Sequence, residues 1–174
     1  AMYSYAELQT ATPDANTWAG LRAFVGTADL GWKVAWSDRM VSLYGGVLLG
    51  GFLYIILRRR IKPLSLRMAA LLTLPIVVDG TTHWVSDLSG LAHGFRYDNG
   101  WLATLTGHAF SEGFYGGNAL GSFNSWMRLF SGLLFGLAVV WLTYPHIETY
   151  FREIRDTLEP RLARRRLGHQ PLES

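Results

Sequence analysis

The sequence contains no cysteine. That excludes disulfides, thiolate metal sites, iron–sulfur clusters and a cysteine nucleophile. Charge is scarce as well: 17% of the 174 residues are Asp, Glu, Lys or Arg, against about 25% in a soluble domain. The shortfall is uneven. Three long runs are nearly free of charge, and the charged residues collect between and after them, the pattern that bilayer insertion requires. Catalytic signatures are missing too. There is no glycine-rich phosphate loop, no Ser-His-Asp order, no HExxH zinc motif and no paired-histidine heme arrangement. Ala1 to Thr17 is polar and lacks an apolar core, so no cleavable signal peptide is expected there.

What is present reads as an all-α integral membrane protein with three transmembrane helices. The first span is expected at about residues 40–57, MVSLYGGVLLGGFLYIIL. At ~1.5 Å per residue such a helix reaches roughly 27 Å, enough for the hydrocarbon core. The second is expected at about residues 66–85, with Pro75 inside it as a kink. The third is expected at about residues 126–144, closed by Pro145. Residues 1–39 form an N-terminal interfacial segment, in which Asn16 or Thr17 is positioned to cap a short helix ending near Phe24. Residues 86–125 form a long polar, glycine-rich loop, and residues 146–174 a charged helix and tail.

The net charge of +3 does not point to nucleic acid, because the basic residues flank the spans and act as topology signals. Arg58, Arg59, Arg60, Lys62 and Arg67 place the first connection in the cytoplasm, and the arginines from Arg152 to Arg166 place the C-terminus there. With three spans, the N-terminus and the 86–125 loop are then outside. The loop holds only one basic residue, Arg96, consistent with that side. The expected location is a bacterial cytoplasmic membrane.

Five features carry candidate chemistry. Ser42, Gly46 and Gly50 recur every four residues in the first span, and Gly132 and Gly136 do so in the third. Small residues let helices approach in lipid, either within the bundle or against another subunit. Asp79 is a carboxylate within the second span, which has to be paired, protonated or hydrated. Arg39 and Arg128 are its expected partners, and the cluster is either a clamp or a proton-relay or head-group site. Asp79, His83 and Asp87 are spaced i, i+4, i+8 and are the candidate metal ligands, with His108 and Glu112 available from the loop. The loop's aromatics suit a membrane–water interface, and Leu102 to Phe114 is expected to form a short helix on that surface. Lastly, Ile147, Tyr150, Phe151, Ile154 and Leu158 recur at helical spacing, giving an amphipathic helix. Arg58, Arg59, Arg60 and Lys62, with Arg164, Arg165 and Arg166 in the tail, are positioned to contact lipid head groups.

Several of these residues fall into a family pattern. Arg39 with Tyr44-Gly45, Pro75 with Asp79-Gly80-Thr81-Thr82, and Asn124 with Arg128 and Gly132 occur in order. In this the chain resembles the bacterial family of predicted membrane proteins called domain of unknown function 2085, over about Arg22 to Pro145. The resemblance implies a helical membrane fold and draws attention to Arg39, Asp79 and Arg128. It supplies no reaction. The chain departs from the pattern in lacking the cysteines that members carry ahead of the first of these spans, and in its longer loop.

Three functional readings follow. The first is a non-enzymatic accessory or scaffold subunit of a larger membrane complex, with membrane lipids and other subunits as partners. The second is a module that binds a lipid or quinone, the only cofactor-like ligands the sequence suggests. The third is an enzyme or transporter using Asp79 as a proton carrier or metal ligand.

Overall fold

The computed structural model describes residues 5–12, 17–33, 36–60, 62–90 and 93–167; for 5–7, 18 and 164–167 this extends to the backbone only. Three helices are long and apolar enough to cross a membrane. They are α3 (Asp38–Leu57), α4 (Leu66–Asp87) and α8 (Phe123–Leu167). Ahead of them lie α1 (Tyr5–Ala11), α2 (Trp18–Ala23) and a two-stranded antiparallel ribbon, β1 (Gly26–Thr27) with β2 (Gly31–Trp32). Between α4 and α8 come three short helices, α5 (Phe95–Asp98), α6 (Gly100–Leu105) and α7 (Glu112–Tyr115).

Each spanning helix begins where its sequence supplies a cap. Ser37 and Ser65 accept from the backbone N–H groups of Met40 and Met68, at 3.4 and 3.3 Å. An N-cap serine satisfies one of the orphan donors of a first turn. Thr17 does the same for α2, accepting from Gly20 N at 3.0 Å. Within α4, Thr81 and Thr82 donate to the carbonyls of Val77 and Val78 at 2.6 and 2.7 Å. Their hydroxyls are thereby satisfied without water.

The bundle is organised around α8, which packs extensively on both α3 and α4, while α3 and α4 barely touch each other. The contact with α3 is built from the small residues. Ser42, Gly46 and Gly50 are buried, and a Cβ added at Gly132 would strike Ser42 Oγ, with Arg39 O at 2.9 Å and Leu43 N at 3.1 Å. One at Gly136 would strike Leu43 O and reach Val47 N at 2.7 Å. The Ser42 hydroxyl shares its proton between Arg39 O (3.0 Å) and Arg128 O (3.1 Å). The two glycine stripes therefore face each other inside one chain.

Two expectations need correction. The helix does not end at Pro145: α8 runs through it and through Pro160. A proline removes the bond to the carbonyl four residues back but need not end a helix if that carbonyl finds another donor. Here the carbonyl is that of Trp141, and it accepts from Leu64 N in the α3–α4 connection at 3.4 Å. The Trp141 indole donates to Lys62 O at 3.2 Å, so the connection is stitched to α8 at the proline. The other correction is in the loop. No single helix spans Leu102 to Phe114, because Gly107 and His108 both take positive φ, +60° and +58°, and separate α6 from α7.

The two ends of the bundle differ. The start of α3, the end of α4 and the start of α8 meet under the α5–α7 cap. Arg58, Arg59, Arg60 and Lys62, all exposed, lie at the opposite end beside the middle of α8.

Candidate functional site

The capped end holds the most buried charge among the described residues. Asp79 is 1% exposed, on a helix that crosses hydrocarbon, where an unpaired carboxylate is strongly disfavoured. Two arginines flank it. Arg39 Nη2 donates to Oδ2 at 2.5 Å, and Arg96 Nη2 lies 2.9 Å from Oδ1. The second contact is ionic with poor alignment, since Oδ1 accepts no geometrically sound hydrogen bond.

Arg96 comes from α5, in the cap, and plugs into the bundle. Its Nε and Nη2 donate to Asn124 Oδ1 at 3.1 and 2.9 Å. Nη1 donates to Thr82 Oγ1 at 2.7 Å and to Asp79 O at 3.3 Å. Its backbone N–H donates to Ser86 Oγ at 3.0 Å, an approach that needs Gly94 nearby, where any Cβ would collide with Ser86. Asn124 then reaches back, donating to Arg96 O (2.6 Å) and Gly117 O (2.8 Å). Asn99, fully buried and in the left-handed region at φ +46°, donates to Arg96 O and Tyr115 O. Asparagine tolerates that conformation better than most residues. Tyr115 is buried too, and its hydroxyl meets Thr106 Oγ1 at 2.6 Å and accepts from Phe110 N at 3.0 Å. The long loop is thus a packed cap fastened by Arg96, Asn99 and Asn124.

Of the two arginines expected around Asp79, the structure pairs Arg39 with it and sets Arg128 apart. Arg128 Nη2 lies 2.7 Å from His83 Nε2. Among the described residues, no three His, Asp or Glu side chains converge to hold a metal ion. Asp79, His83 and Asp87 follow one another along α4, but Asp79 is occupied by arginines and His83 by Arg128. His108 and Glu112 are exposed in the cap, with the His108 ring edge-on to Tyr115. The side chains of Arg164, Arg165 and Arg166 lie outside the described residues.

Sequence reasoning missed Arg96 as a partner of Asp79. It considered only cations at helix ends, though the loop's one cation was an available signal. It also missed a network at the other end. There the Tyr54 hydroxyl donates to Glu148 Oε2 at 2.5 Å and Arg152 Nη2 to Glu148 Oε1 at 2.5 Å, with Tyr144 edge-on to Tyr54.

Three apolar spanning helices around a desolvated ion-paired clamp define a helical integral membrane protein. The comparison with known families agrees: residues 29–142 match the family described as predicted membrane protein (DUF2085), and the chain belongs to it. No match was found among curated proteins or among solved structures.

Proposed function

We propose that this chain is a non-catalytic accessory or scaffold subunit of a larger membrane assembly, in a bacterial cytoplasmic membrane with its C-terminus in the cytoplasm. The observation that carries this reading is the apolar stripe on the second half of α8. Ile147, Tyr150, Phe151, Leu158 and Leu162 are exposed, on a helix of 45 residues. At ~1.5 Å per residue that helix is roughly 67 Å long, about twice the ~30 Å hydrocarbon thickness. Because α8 is continuous through Pro145, its second half leaves the membrane along the line of the first, bent only by the proline kink. A stripe held off the lipid surface in this way needs a protein to cover it.

The glycine faces no longer support a partner, since α3 and α8 use them on each other. The enzyme or transporter reading is weakened by the clamp, because each Asp79 oxygen already has a guanidinium against it. Head-group contacts of Arg58, Arg59, Arg60 and Lys62 remain compatible with a scaffold, whereas Arg164, Arg165 and Arg166 would be carried away from the membrane by α8.

The test is gentle extraction from native membranes followed by purification of wild type and a Phe151→Ser, Ile154→Ser double variant. A partner should accompany wild type at fixed stoichiometry and be lost from the variant while the thermal transition of the bundle is unchanged. Retention of the partner by the variant, or a wild-type protein that is strictly alone, would sink the proposal.

A further inference from the structure

We propose that Arg128, with Arg39 beside it, holds the phosphate of an anionic phospholipid at the capped end of the bundle. This stands independently of the subunit reading.

The argument begins with the contact to His83. A guanidinium carries only donors, so across the 2.7 Å contact the acceptor is His83 Nε2. The imidazole is therefore neutral, with its proton on Nδ1, and that atom is buried with no partner. His83 orients Arg128 and supplies no negative charge. No carboxylate of the described residues lies within ion-pair distance of Arg128 either. Asp79 is shared by Arg39 and Arg96, while Asp38, whose Oδ2 is also buried without a partner, and Asp87 lie on the flanking helix ends and make no ion pair among the described residues. Three guanidiniums thus gather at this end, and only two of them engage a carboxylate, the same one. Arg39 also leaves its Nε buried without an acceptor.

Cations at this depth are found paired or facing a polar ligand. The surroundings select the ligand. Val41, Trp84 and Leu129 are exposed around this end of the three spans, where lipid chains coat the protein, and α3 and α4 make little contact with each other. A ligand that places one negative charge against Arg128 and an apolar tail against these side chains meets both conditions. A phosphodiester does so, with oxygens that suit the guanidinium fork, and basic pockets between spanning helices take lipid head groups by this chemistry. A neutral quinone lacks the charge, and a zwitterionic lipid carries its own ammonium beside the phosphate.

The experiment is native mass spectrometry of the purified full-length protein after exchange into detergent with equal phosphatidylglycerol and phosphatidylcholine. Wild type should retain one tightly held phosphatidylglycerol with a preference of about tenfold or more, equivalent to a single good ionic contact. Arg128→Gln, whose amide still donates to His83, should lose that lipid. Arg128→Lys should retain an intermediate amount, and Arg155→Gln at the far end should behave as wild type. Equal retention of the two lipids by wild type overturns the proposal without recourse to any variant. So does an undiminished preference in Arg128→Gln or, should that chain fail to fold, in Arg128→Lys. Inorganic phosphate bound in place of lipid overturns it as well.

Discussion

The two arginines on Asp79 are not equivalent. The Arg96 side chain is 8% exposed and that of Arg39 is 28% exposed. Surroundings outside the bundle, water or lipid head group, can therefore solvate the Arg39 guanidinium in part and can barely reach Arg96. Removing one member of a buried pair typically costs about 3–5 kcal/mol, because the charge left behind is uncompensated. Arg96→Gln should approach that cost, since it also strips donors from Asn124 and Thr82 and unfastens the cap. Arg39→Gln should cost clearly less, because Arg96 remains on the carboxylate. Thermal or denaturant unfolding in detergent measures both, and an Arg39 variant at least as damaged as the Arg96 variant would show that the clamp has been misread. A proline has a comparable local logic at Trp141. The carbonyl released by Pro145 is the one that receives Leu64 N, so an apparent defect in the helix becomes the anchor for a connection.

Among the helices, the glycines of α3 and α8 divide by what a methyl group would meet. At Gly132 and Gly136 it would meet the backbone of α3, which cannot move aside without opening the interface. At Gly45 there is nothing within 4 Å, and at Gly51 only Tyr144 atoms at 3.8 Å. Gly132→Ala and Gly136→Ala should each destabilise by about 1–3 kcal/mol, the usual cost of overpacking. Gly45→Ala should be neutral or stabilising by up to about 1 kcal/mol, since alanine is the better helix former. Differential scanning of the purified variants would reveal this change of sign within one helix pair. Equal effects at all three positions would mean that α3 and α8 do not approach as described. In lipid there is little hydrophobic drive between helices, so close backbone contact of this kind is what holds them.

For the whole molecule, the absence of cysteine makes topology easy to test. Single cysteines at Arg60, Glu153 and Leu120 would each be the only thiol in the chain. The fold sets Arg60 and Glu153 toward one end and Leu120 in the cap at the other. With the basic end in the cytoplasm, a membrane-impermeant maleimide applied to intact cells should label Leu120→Cys and spare Arg60→Cys and Glu153→Cys until the membrane is opened. Labelling of Arg60→Cys in intact cells would reverse the orientation, and labelling of Arg60→Cys and Glu153→Cys on different sides would be incompatible with three spans.

The amino-acid sequence by itself determined that there are three spanning helices and roughly where they lie, because insertion depends on runs of apolar residues long enough to cross hydrocarbon, a property of consecutive residues. It also singled out Asp79 as needing a partner and the serine and glycine positions as packing faces, since cost and spacing are both local. Only the tertiary structure decided which cation serves Asp79, because Arg96 is separated from it by a loop whose path depends on Gly94, Asn99 and Asn124 acting together. It likewise decided that the glycine stripes meet each other and that α8 continues past Pro145. Each of those outcomes depends on a group far along the chain arriving at contact distance: Leu43 against Gly136, and Leu64 beneath Trp141.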